Sequence, residues 1–132
     1  MPATRRRGLL TRRAKDTLLL PAYHAEADPV RVELFYFDGC PGHAELRARL
    51  PRLLEQAEVD AVIEEHRIDS EPAARRERFL GSPTLRIDGQ DIDSDAADRH
   101  DYGLKCRLYL TEDGLQRTPH DAWITKALRA AN

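Results

Sequence analysis

Residues 34–43, Leu-Phe-Tyr-Phe-Asp-Gly-Cys-Pro-Gly-His, place one cysteine where an apolar strand should stop and a helix begin. Phe35 to Phe37 end a strand-like run, Gly39 permits a sharp turn, and Pro41 suits a first helical position. Cys40 then falls at the helix N-cap, where unpaired backbone N–H groups and the helix dipole favour negative charge. Cysteines in such positions are activated as thiolates, so Cys40 is the first candidate for chemistry.

Working outward, Val30 to Phe37 alternates and then turns continuously apolar, as a central strand does. Leu46, Leu50, Leu53, Leu54 and Ala57 recur at three- and four-residue steps after Pro41 and predict a core-facing helix, which Pro51 should kink or split. Ala61–Ile68 reads as a second strand, parallel to the first because a helix lies between them. Ser70 caps a short helix expected over Glu71–Phe79, and Gly81-Ser82-Pro83 ends it. Thr84 to Gly89 is a third strand running into a turn, followed by a polar loop from Gln90 to about Tyr102. Leu104–Leu110 is expected as the fourth strand, and Asp113-Gly114 as another turn. Thr118 is the expected cap of the last helix, with Pro119 at its first position and Trp123, Ile124, Ala127, Leu128 and Ala131 on its apolar face. This order accommodates an α/β fold with a four-stranded mixed sheet flanked by helices.

The whole chain has 132 residues, 41% hydrophobic and 33% charged, which is globular composition with enough length for a core without disulfide staples. A net charge of -2 gives no electrostatic case for nucleic acid, and no stretch is long and apolar enough to span a membrane. Two cysteines, 66 positions apart, are too few for a secreted disulfide scaffold and point to a reducing cytoplasm. Residues 1–28 stand apart, with six basic against three acidic side chains. They are expected to form a disordered basic tail ahead of a domain over 29–132. Thr4 to Leu10 resembles a twin-arginine export signal, but Arg12, Arg13, Lys15 and Asp16 interrupt the apolar run that a signal requires.

The element order is the thioredoxin-like one, and two sites carry the resemblance. Cys40-Pro41-Gly42-His43 resembles that family's Cys-x-x-Cys active site, with histidine replacing the second cysteine. Ser82-Pro83-Thr84 resembles its loop proline, which usually follows a cis bond and faces the reactive sulfur. More narrowly, four segments are similar to a group of short bacterial thioredoxin-like proteins often labelled alkylmercury lyase. They are Gly39-Cys40-Pro41, Gly81-Ser82-Pro83-Thr84, Asp88-Gly89 and Gly103-Leu104-Lys105-Cys106-Arg107-Leu108-Tyr109. The resemblance implies thiol–disulfide exchange through Cys40, with His43 lowering the thiol's proton affinity or relaying a proton. It also implies that Pro83 shapes the groove, while Ser82 and Thr84 present groups to a thiol or disulfide substrate, either a small molecule or a protein.

Cys106 is the natural second sulfur for a disulfide or a soft-metal site with Cys40. If the third and fourth strands are antiparallel neighbours, Pro83 lies near Leu110. Cys106 is then displaced by about four residues, or roughly 13 Å along the strand. A disulfide needs Cα atoms within about 7 Å, so this register opposes a direct bridge. Asp91-Ile92-Asp93-Ser94-Asp95 lacks the glycine and glutamate of a calcium loop, with Ala96 and Tyr102 standing in their places, and reads as a solvated acidic loop. Organomercurial cleavage would cast Cys40, Cys106 and Asp38 as thiolates and acid, but His43 stands where established lyases carry aspartate. Two classes remain: a monothiol exchange protein without a resident cofactor, and a non-catalytic module that binds a soft metal or a partner.

Overall fold

A computed structural model describes residues 28–132. All but the last residue of the basic segment, together with its twin-arginine-like stretch, lies outside the described residues. The chain runs β1 (Val30–Tyr36), α1 (Pro41–Ala57), β2 (Ala61–Arg67), α2 (Glu71–Arg76), β3 (Thr84–Ile87) and β4 (Gln90–Asp91). A 3₁₀ turn over Ser94–Asp98, the hairpin β5 (Tyr109–Thr111) and β6 (Gly114–Gln116), and α3 (Asp121–Ala131) complete it.

The main sheet is four-stranded and mixed, in the order β2-β1-β3-β4. β1 and β2 pair in parallel from Val30↔Ala61 to Tyr36↔Arg67, as a helical crossover requires. β1 and β3 are antiparallel, with Leu34 opposite Leu85 and Phe35 opposite Thr84. Alternation along β1 divides the core. Val30, Val32 and Leu34 pack with Leu46, Leu50, Leu53, Ile124 and Leu128 of α1 and α3, while Phe35 packs with Ile68, Ala73, Ala74 and Phe79 on the α2 side.

The fourth strand differs from the sequence expectation. Asp88 and Gly89 both adopt positive φ, at 50° and 85°, so the chain reverses in a tight turn and Gln90–Asp91 returns antiparallel against Arg86 and Ile87. β3 then has β1 on one side and β4 on the other, leaving no edge for residues 104–110. That segment instead meets the loop before β3 through one parallel bridge, Ser82↔Cys106, and its end pairs only with β6.

Helix ends follow local chemistry with one substitution of roles. Ser70 Oγ accepts from the Ala73 N–H at 3.1 Å, as expected, but α2 stops at Arg76 and Arg78 turns left-handed at φ 57°. α3 is capped by His120 rather than Thr118: His120 Nδ1 accepts from the Ala122 N–H at 3.0 Å. Thr118 Oγ1 is occupied by the Arg49 guanidinium at 3.0 Å. α1 runs unbroken through Pro51. Pro51 and Arg47, whose carbonyl loses its helical partner, both lie on the exposed side, where that carbonyl is open to solvent.

Candidate functional site

Strand β1 ends at Tyr36, the chain turns at Asp38-Gly39, and α1 begins at Pro41, so Cys40 occupies the N-cap. Its backbone is extended (φ -79°, ψ 117°) and its side chain makes no capping hydrogen bond. Cys40 is 6% exposed, at the end of a 17-residue helix whose first turn contains no acidic residue.

The Ser82–Pro83 peptide is cis, and the loop that carries it faces this junction. The Phe37 N–H donates to Ser82 Oγ at 3.4 Å. Gly42, in the first turn of α1, lies against Pro83: a Cβ there would sit 3.0 Å from Pro83 Cδ and 2.8 Å from the Arg117 carbonyl oxygen. Only glycine lets helix and loop approach so closely.

Ser82 and Thr84 are committed to the protein itself rather than open to a ligand. Ser82 is 1% exposed; its N–H donates to the Lys105 carbonyl at 2.8 Å, and its carbonyl accepts from the Arg107 N–H at 2.9 Å. Thr84 is fully buried, donating to the Gly81 carbonyl at 2.6 Å and accepting from Arg107 Nη1 at 3.0 Å. The backbone positions expected to receive an extended substrate are filled by residues 105–107.

This arrangement corrects the placement of Cys106. It pairs directly with Ser82 in parallel register, not four residues further along an antiparallel strand. Cys106 is exposed, and both cysteines are free thiols.

His43 turns to the neighbouring strands. Its Nε2 lies 3.0 Å from Glu65 Oε1 on β2, and its ring stacks on Tyr36 with centroids 3.8 Å apart. Asp38 is exposed and pairs with Arg67 at 3.3 Å. Beside the junction, Phe37, Asp38, Arg67, Ile68, Asp69 and Leu104 line an open groove of about 240 Å³.

Sequence reasoning missed the residues that hold the loop. Arg107, with no side-chain exposure, donates to both carboxylate oxygens of Asp91, at 2.9 and 2.8 Å. Burial is the largest single influence and opposes its charge, but the Asp91 hydrogen bonds together with the nearby Tyr109, Asp91 and Asp93 hold its pKa above the ordinary arginine value. Tyr109 donates from its hydroxyl to the Pro83 carbonyl at 2.5 Å, and Arg107 lies over its ring at 4.5 Å. Burial pushes the Tyr109 phenol well above the ordinary range. The expected acidic loop is therefore anchored at Asp91. A period-two pattern through Arg107, Tyr109 and Thr111 was the available signal.

Ligand-type atoms also converge at Glu33, Glu64 and His66, all within 4.8 Å of one another. The Arg31 guanidinium lies on both carboxylates, at 2.9 Å from Glu33 and 3.2 Å from Glu64. Its hydrogen bond to Glu64 holds that carboxyl below its ordinary pKa, which makes the cluster a cross-strand charge network. No helix among the described residues is long and apolar enough to cross a membrane. No family model matches the chain, and no curated protein matches it.

Proposed function

We propose that this chain is a thioredoxin-like thiol protein that carries out thiol–disulfide exchange through Cys40. The observation that carries the reading is the juxtaposition of Cys40, at the N-terminus of α1, with the cis Ser82–Pro83 loop held against Gly42. Cys40 stands at the N-terminus of a 17-residue helix, where unpaired backbone N–H groups gather. The buried loop fixes the opposite wall of the site. His43, in the first turn of α1, is held by Glu65 and by its stack on Tyr36.

The test is glutathione-driven turnover of a small aromatic disulfide, followed by the colour of the released thiol. Cys40→Ser should lower turnover by about tenfold or more, because serine is not an exchange nucleophile at neutral pH. Turnover unchanged in Cys40→Ser would end the proposal. A second reading, a two-sulfur site for mercury(II) or copper(I), is favoured by the placement of Cys106 beside the same loop. It requires stoichiometric binding that disappears in Cys106→Ser.

A further inference from the structure

Alternation sends Glu33 to the face of β1 opposite the aliphatic core, and Glu64 is its partner in the parallel register with β2. His66 follows two residues later, across from Phe35, and falls on the same face. Strand pairing alone therefore gathers two carboxylates and an imidazole from two strands.

Glu33 is 7% exposed, a depth at which a carboxylate needs a counter-charge. Arg86, its partner on β3, is committed elsewhere: its guanidinium lies over Phe35 at 4.2 Å and donates to the Glu77 and Arg78 carbonyls. Arg31 bonds both Glu33 and Glu64, from a side chain that is 54% exposed. One guanidinium against two carboxylates leaves one negative charge over while His66 is neutral.

The imidazole is the unexplained part of the cluster. His66 Nε2 lies 3.1 Å from Glu33 Oε2 and 3.4 Å from Glu64 Oε1. That nitrogen is buried, yet it makes no hydrogen bond to either oxygen. Such an orphan calls for a partner. Stacking on Phe35, with ring centroids 4.6 Å apart, fixes the direction in which the ring points. Donor atoms bound at about 2.0–2.2 Å in a tetrahedral zinc site stand about 3.3 Å from one another. The spacing around His66 Nε2 matches that edge.

We propose that Glu33, Glu64 and His66 bind a divalent first-row metal ion, with zinc(II) the ion that the donor set fits. The imidazole nitrogen selects against magnesium and calcium, which take oxygen ligands, and the absence of sulfur selects against soft ions. Three protein ligands leave a fourth position open. Arg31 is the competing cation, and metal entry moves it outward into solvent. The ion ties β1 to β2, the outer strand of the sheet, and does so independently of the chemistry at Cys40.

The test is calorimetric titration of the metal-stripped full chain with zinc(II), in a Cys40→Ser, Cys106→Ser background that removes both thiols. One equivalent should bind, and zinc should raise the melting temperature until a chelator is added. His66→Gln should weaken binding by more than about tenfold. Arg31→Gln should strengthen it by about tenfold, because a like charge beside the ion is gone. No stoichiometric binding in the double-serine chain overturns the inference, as does binding indifferent to His66→Gln. Equal or weaker binding in Arg31→Gln does the same, since the guanidinium then does not compete for the carboxylates. None of these outcomes touches turnover through Cys40, so the exchange reading stands or falls separately.

Discussion

The two sides of strand β3 are held by different physics. Towards α1 and α3, Val32, Leu34, Leu50, Leu53, Leu85, Ile124 and Leu128 form an aliphatic core with almost no exposure. Towards the chain's later third, residues 104–111 are fastened by polar ties: Arg107 to Asp91 and Thr84, Tyr109 to Pro83, and the Ser82↔Cys106 bridge. Aliphatic packing is non-directional and tolerates local adjustment, whereas buried hydrogen bonds fix one register and leave costly orphans when a partner is lost. The site lies where the two regimes meet. Cys40 is placed by the end of the aliphatic helix, and Cys106 by the polar latch.

The largest effect should come from breaking the latch. Arg107→Ala leaves Asp91 partly buried and without its main cation, and removing one partner of a buried pair costs about 3–5 kcal/mol. Chemical denaturation should show a loss of about 4 kcal/mol, with amide exchange accelerating first at residues 104–111. Uniform acceleration across the sheet would mean that the two regimes are one cooperative unit.

Leu53→Ala attacks the other regime. Leu53 is fully buried, and such truncations cost about 2–5 kcal/mol, so a loss of about 3 kcal/mol is expected. Protection should fall together in β1, α1 and α3, and the Cys106 environment should respond only through global unfolding. A selective loosening of residues 104–111 in this variant would break the comparison.

Tyr109→Phe is the smallest and sharpens it. Losing the hydroxyl bond to Pro83 should cost about 1 kcal/mol at neutral pH. Burial raises the folded-state pKa of Tyr109, so its contribution is fully present below about pH 10, the value of an unfolded tyrosine. Above that pH the unfolded chain loses the proton while the folded chain keeps it, and stability falls as pH rises. Urea titrations between pH 9 and 11 should show a shallower alkaline decline in Tyr109→Phe than in the wild type. Parallel curves would show that Tyr109 does not contribute to the decline.

Legibility followed the same division. The periodicity of Leu46, Leu50 and Leu53 announced α1, and the alternation in Val30–Tyr36 announced β1, because apolar burial writes its period into the sequence. The latch inverts that code. Arg107, Tyr109 and Thr111 are buried, while Leu108 and Leu110 are 52% and 72% exposed. An apolar-in reading of residues 104–110 assigns the faces backwards and invites a sheet strand. The missing information was that Asp88 and Gly89 close a hairpin so tight that β4 takes the last edge of β3.

By itself, the sequence determined the strand–turn–cysteine–helix junction, the parallel crossover from β1 to β2 and the cap at Ser70. All are local or near-neighbour consequences of turn chemistry, capping and periodicity. Tertiary structure alone decided that Cys106 stands beside Ser82, that Ser82 and Thr84 turn inward, and that His43 answers to Glu65. Those outcomes depend on which residues compete for each backbone edge and each buried charge, and no local pattern records that competition.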